Sequence, residues 1–225
     1  MKMNLRLYVN KTGNFLLDAL FPTKCIGCEI KDEILCNFCV SKIRLAERET
    51  DKNIVAMFDY RDPIVKKVIW ELKYHHKRYL GEKLGQLLYE FLMEDISDMK
   101  IDVSGRSIFV IPVPISNNKT RIRGYNQAKA ITKGFCSQSE IGVFELKDNI
   151  VFKKVDTLPQ ARITNRRRRL ENVRGVFDIK NSETVKGRTI IVIDDVTTTG
   201  GTIMEVMKIL KKAGAKRVVG FAVAH

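Results

Sequence analysis

Apolar residues recur along this chain in two rhythms, and the alternation between them sets its architecture. Short continuous apolar runs alternate with stretches in which apolar residues return every three or four positions. The run 53–60, NIVAMFDY, reads as a buried strand. Asp62-Pro63 then offers an N-cap and a first-turn proline, and Ile64, Val65, Val68, Ile69 and Leu72 follow at helical spacing. A second helix is expected from about Leu80 to Met93, with Leu84, Leu87, Leu88, Phe91 and Leu92 as its buried stripe. Ser107–Val113 reads as a strand and Asn126–Phe135 as a helix. Gly187-Arg188 introduces the strand Thr189–Ile193, and a loop over 194–201 leads into a helix marked by Ile203, Val206, Met207 and Leu210 that stops at Gly214. Arg217–Val223 is the last strand. Strands alternating with helices predict βαβ units and a mainly parallel sheet, an α/β fold.

Two regions fall outside this rhythm. Residues 1–24 suggest a short amphipathic helix ending at Pro22, with Phe15, Leu16, Ala19 and Leu20 on one face. The polar, basic region 153–175 reads as a long loop or a partly mobile helix. The expected organisation is a small module over residues 1–48 and a larger domain over 49–225.

The 225 residues, 44% of them hydrophobic, suffice for one substantial core plus an appendage. No apolar stretch approaches the roughly 20 residues that cross a bilayer. Asn10, Lys11, Thr12, Asn14 and Asp18 interrupt the N-terminus where a signal peptide needs a continuous apolar region, so the expected location is cytoplasmic. A net charge of +14 points to anionic partners, polyphosphates or nucleic acid, or else to a lysine-rich solvated surface.

The chemistry concentrates in residues 190–202, IIVIDDVTTTGGT. An apolar strand ends in two acids, and a hydroxyl- and glycine-rich turn then opens a helix. Helix starts favour phosphate, through free N–H groups and the positive dipole end. Gly200 and Gly201 let the backbone approach a phosphate; Thr197, Thr198, Thr199 and Thr202 are candidate contacts around it. Asp194 and Asp195 precede the turn, where they can accept hydrogen bonds from vicinal ribose hydroxyls. A Walker B strand also ends in Asp-Asp, but it requires a G-x-x-x-x-G-K-[ST] segment that this chain lacks.

Four of the five cysteines form two C-x-x-C pairs, Cys25/Cys28 and Cys36/Cys39, seven residues apart. Two-residue spacing lets both thiolates of a pair reach one ion, and four Cys without His suit a closed, structural Zn²⁺ site. Disulfides and an iron–sulfur centre are the alternatives. Cys136 stands alone and reads as a packed core thiol.

The loop resembles the phosphoribosyl diphosphate (PRPP) signature of type I phosphoribosyltransferases: four apolar residues, two acids, a spacer, then T-G-x-T. More widely, the chain resembles the ComF family, the ComFC-type proteins of bacterial DNA uptake. Beside the loop and the four-Cys knuckle, the resemblance rests on ELKYHHKRYLGEKLG (71–85), IPVPIS (111–116), RGYNQA (123–128) and LPQARITNRRRRLENVRGVF (158–177). It implies a type I phosphoribosyltransferase-like parallel sheet flanked by helices. It also implies PRPP or ribose 5-phosphate as ligand, with Mg²⁺ on the diphosphate and Asp194 and Asp195 as catalytic residues. Arg123, Gly124, Asn126 and Gln127 would help line the diphosphate cradle after the strand ending near Pro112, and Lys73 is a further candidate contact. Purine-salvage members carry a third acid four residues after their first; here that position is Thr198, which removes an acid/base group directed at a purine.

Six arginines lie between Arg162 and Arg174, including Arg166, Arg167, Arg168 and Arg169, against one acid, Glu171. Guanidinium forks suit phosphate oxygens, in a diphosphate or a nucleic-acid backbone. Two functions therefore compete. One is an Mg²⁺-dependent phosphoribosyltransferase with an unidentified acceptor. The other is an accessory protein of DNA uptake that binds single-stranded DNA beside a helicase-like ATPase, an association implied by the resemblance.

Overall fold

The computed structural model describes residues 23–47, 54–98, 106–140, 142–155 and 165–225, the side chains of 94–98, 166 and 169 excepted. The helix expected over residues 1–24 falls almost wholly outside that description. The chain divides into two compact units, Met1–Ile43 and Arg44–His225.

In the first unit, the two C-x-x-C pairs are held by a short helix, α1 (Asn37–Lys42), and by a bridge between Lys24 and Lys31. Cys25, Cys36 and Cys39 are buried, with Ile26, Leu35 and Ile43 around them.

The second unit is built on a five-stranded parallel sheet. Its strands are β1 (Ile54–Phe58), β2 (Ile108–Pro112), β3 (Phe144–Leu146), β6 (Thr189–Val196) and β7 (Arg217–Ala224), in the order β1-β7-β6-β2-β3. A small antiparallel pair, β4 (Val151–Lys153) and β5 (Phe177–Ile179), stands apart. Central parallel strands are covered on both faces, which is why β2 and β6 read as near-continuous apolar runs. On one face Ile190, Val192, Phe109 and Ile111 pack with Ile203, Val206 and Leu210 of α7 (Gly201–Lys212). The other face is covered by α5 (Gln127–Cys136), which packs in turn on α3 (Arg78–Asp98). These two helices meet backbone to backbone: a Cβ on Gly85 would lie 2.0 Å from the Ile131 carbonyl oxygen, and one on Gly134 would lie 1.9 Å from that of Glu82.

The expected cap at Asp62 forms: Asp62 accepts from the amides of Ile64 and Val65 at the start of α2 (Pro63–Tyr74). Asn126 likewise caps α5, accepting from the Lys129 amide. Two elements, β6 and the helix after β2, depart from the sequence expectations, and the basic region takes the helical one of its two readings. Strand β6 runs on to Val196, so Asp194 and Asp195 stand within the last residues of the strand and not in a loop. The continued pairing with β7, Asp194 to Ala222 and Val196 to Ala224, is the cause. Within the basic region, Arg166–Val173 is a helix, α6, capped by Asn165. A further helix, α4 (Asn117–Arg123), follows β2, with Ser116 as N-cap and Gly124 at φ 72 as its end.

Strand order places a crevice at one position. From β6 the chain passes through α7 to β7 on one side, and from β2 through α5 to β3 on the other. Ligands of open α/β sheets bind beyond the carboxyl ends of strands at such a reversal. Here that point lies between Pro112 and Val196.

Candidate functional site

The end of β6 and its turn form the floor of the crevice. Asp195 is buried and Asp194 half-buried, and each accepts a backbone amide: Asp195 N donates to Asp194 Oδ1 at 2.9 Å and Val196 N to Asp195 Oδ1 at 2.7 Å. Burial, reinforced by repulsion from Asp195, pushes the Asp194 carboxyl up to about 8, against the pull of the Asp195 amide and Lys73. Two carboxylates this close do not both ionise readily in low dielectric. A cation or a hydrogen-bond donor brought by a ligand would relieve that conflict.

The turn closes on itself. Thr197 N donates to the Ala224 carbonyl, and the buried Thr197 hydroxyl accepts from Gly200 N at 3.1 Å. Thr197 thus shapes the turn from inside. Gly200 has φ 72, a left-handed conformation open to glycine, and begins α7 without any side-chain cap. A helix start without a side-chain cap is where an anion is favoured. Gly201 is crowded: a Cβ there would lie 2.8 Å from Leu170 Cδ2 of α6. Thr198 is exposed, and the Thr199 hydroxyl oxygen is buried without a hydrogen-bond partner among the described residues. Buried polar atoms normally find partners, so this orphan marks a place where a ligand oxygen fits.

Cations converge on the acids from two other elements. Lys73, near the end of α2, places Nζ 3.2 Å from Asp195 Oδ2. Its backbone is held by the RGYNQA block, since the Tyr125 hydroxyl donates to the neighbouring Leu72 carbonyl at 2.6 Å. The sequence did not single out Lys119 on α4. Burial and the charge of Arg123 lower its pKa, while Asp194 and Asp195 raise it, which places it within the field of the same carboxylates. The Ser116 cap four residues beyond β2 was the available signal for α4, but nothing local reveals where Lys119 leads.

The remaining candidates divide. Arg123 donates to Gln127 Oε1 at 3.1 Å, and Gln127, itself buried, donates to the Tyr125 carbonyl. Asn126 donates to the Val113 carbonyl at 3.0 Å, tying α5 to the end of β2. Gln127 and Asn126 thus hold the frame of the segment after β2, and Arg123 is tied to Gln127. The basic helix α6 joins the site differently. It packs Leu170 and Val173 over Gly201, while Gly175 N donates to Glu205 of α7 at 2.8 Å. Of the arginine run, Arg167 pairs with Glu171 at 3.0 Å and both Arg167 and Arg168 are exposed.

In the first unit, all four Sγ atoms of Cys25, Cys28, Cys36 and Cys39 lie within 4.8 Å of one another. Cys36 Sγ stands 3.6 Å from Cys25 and 3.6 Å from Cys28. Four sulfurs at about 2.3 Å around a tetrahedral ion stand about 3.8 Å apart, so the residues fit zinc. A disulfide needs about 2.05 Å, and all five cysteines are free thiols. Burial pushes the lone Cys136 up to about 12, as for a packed thiol.

A model of the phosphoribosyl transferase domain matches residues 147–225. Competence protein F of Haemophilus influenzae is 25% identical over 213 residues, covering 89% of this chain and 90% of its own. Competence protein ComFC of Streptococcus pneumoniae is 31% identical over 142 residues, 63% of this chain and 56% of its own. The DNA utilization protein YhgH of Escherichia coli K12 is 23% identical over 167 residues, 74% of this chain and 69% of its own. The solved hypoxanthine-guanine phosphoribosyl transferase of L. donovani covers 64% of this chain and 71% of its own, at 9% identity and a TM-score of 0.38. No helix among the described residues is long and apolar enough to cross a membrane.

Proposed function

We propose that the chain, similar along most of its length to a competence protein F, is a ComF-type phosphoribosyltransferase-like protein that serves bacterial DNA uptake and binds PRPP or ribose 5-phosphate at the end of β6. The carrying observation is the turn itself. Two adjacent acids, an uncapped helix start at Gly200 and the orphaned Thr199 hydroxyl lie within one short segment. The α7 amides and Thr198–Thr202 would hold the 5-phosphate, and Asp194 and Asp195 the ribose hydroxyls. A diphosphate on the sugar would face Lys73, Lys119 and Arg123, cations from two helices beyond the sheet. Mg²⁺ favours phosphate oxygens with one or two carboxylates, and Asp194 and Asp195 fit it. When bound, it would neutralise charge on a departing diphosphate. Zinc in the four-cysteine module supplies folding free energy and no chemistry.

Thr198 stands where purine-salvage enzymes carry their third acid. This favours a second reading, in which the ligand is bound without transfer to a base and the protein acts as an accessory to single-stranded DNA handling beside a helicase-like ATPase. The exposed Arg167 and Arg168 support the nucleic-acid part of that reading.

Calorimetric titration with PRPP and Mg²⁺ tests the primary reading. One saturable site is expected, lost in the Asp194→Asn/Asp195→Asn double variant with the fold intact by circular dichroism. Absence of binding by the wild type would overturn it. Diphosphate release on adding PRPP separates turnover from binding alone.

A further inference from the structure

Five aromatic side chains among the described residues are large and exposed: Phe38, Tyr60, Trp70, Tyr74 and Tyr79. Four of them fall within twenty residues on α2 and its flanks. On α2, Val65, Val68, Ile69 and Leu72 face the core, while Lys66, Lys67, Trp70 and Tyr74 recur at helical spacing on the opposite side. Trp70 is 51% exposed and Tyr74 56% exposed, and their ring centroids lie 6.0 Å apart. The exposed His75 ring stands 4.5 Å from Trp70, and Tyr79 follows at 48% exposure. Exposed rings grouped in this way are not explained by packing, and the phosphate loop does not use them.

The charge on this face has one sign. Lys66 and Lys67 are exposed and form no ion pair with another described residue. The single acid within α2, Glu71, lies off the stripe and pairs with Lys77 at 2.8 Å. Asp62 is buried as the N-cap. A partner for this surface must therefore be anionic along a backbone and carry flat, stackable groups. Single-stranded nucleic acid has both, and duplex DNA hides its base faces.

We propose that the Lys66–Lys67–Trp70–Tyr74 face of α2, extended by His75 and Tyr79, is a docking surface for single-stranded nucleic acid. It deepens the DNA-handling reading and rests on it for the biological strand, but not on PRPP binding. From Lys66 to Tyr74 the face spans about 12 Å along the helix, room for about three nucleotides at about 3.4 Å each. Bases stack on Trp70 and Tyr74 without sequence preference, and Lys66 and Lys67 meet the backbone. The same helix carries Lys73 to Asp195.

Trp70 is the chain's only tryptophan, so its fluorescence reports on this face directly. The full chain is titrated with an oligothymidylate of about 12 nucleotides, within the usual site sizes. Saturable quenching is expected, weakening with salt and absent with a duplex of matched length. By fluorescence anisotropy of labelled oligonucleotide, Trp70→Ala and Tyr74→Ala should each weaken binding about tenfold, and Trp70→Phe should restore most of it. Lys66→Ala/Lys67→Ala should lower the salt slope by about 1 to 2. Thermal melting should be unchanged in all four, since none of these side chains is buried. Binding by the variants equal to wild type, with Arg167→Ala/Arg168→Ala weakening it instead, would overturn the proposal and move the strand to α6. Equal binding of duplex would overturn the single-strand assignment, and no binding of either would overturn the proposal.

Discussion

Asp194 carries the strongest perturbation at the site, and it has a measurable consequence. Burial and repulsion from Asp195 push its carboxyl up to about 8 in the folded chain, from an ordinary 3.8. Between those two values the folded chain holds a proton that the unfolded chain has released, so stability falls as pH rises through that window. Asp194→Asn removes the titration. Urea denaturation of both forms should show wild type losing ground to the variant from about pH 4 to about pH 8, with a constant difference above. A difference independent of pH would mean that Asp194 is not raised. Gly200 makes a second prediction at this scale. An alanine there would adopt φ 72 at a cost of about 1–2 kcal/mol, with its Cβ 3.1 Å from Ile54 Cδ1. Gly200→Ala should lower stability by about that amount and weaken ligand binding, since the turn would shift. Unchanged values for both would show that the turn does not need a left-handed residue.

Elements differ in how plainly the chain announces them. The helices α2, α3 and α7 were legible because each has an amphipathic stripe, and α2 also has its capping residue, Asp62, at the expected place. Strands β3, β4 and β5 have three residues each, too few to show a period, and only their sheet neighbours define them. The extension of β6 to Val196 depends on β7, more than twenty residues later. The cysteine module was legible from spacing alone, because two-residue knuckles bring thiols together locally. It carries its own prediction. Cys39→Ser should lose the metal and unfold the first unit, with zinc content falling from one ion per chain to none by elemental analysis. A folded first unit in a metal-free variant would contradict a zinc-dependent module.

At the scale of the molecule, the site exists because strand order brings distant segments to one crevice. The segment 194–202 could be read locally, since its acids, hydroxyls and glycines are contiguous. The approach of Lys73 to Asp195 and the position of Lys119 in the field of the two acids could not, because each arrives from a separate helix. Gln127 and Thr197 show the converse: their residue types suit a ligand, yet their side chains bond the protein's own frame. We propose that the 5-phosphate of a ribose sits at the end of β6. Hydrogen exchange of the full chain, with and without ribose 5-phosphate, tests this placement. Slowed exchange is expected for the amides from Thr198 to Ile203, abolished by Asp194→Asn/Asp195→Asn, with inorganic diphosphate protecting the region of α4 instead. Ligand-induced protection elsewhere, with Thr198–Ile203 unchanged, would contradict it.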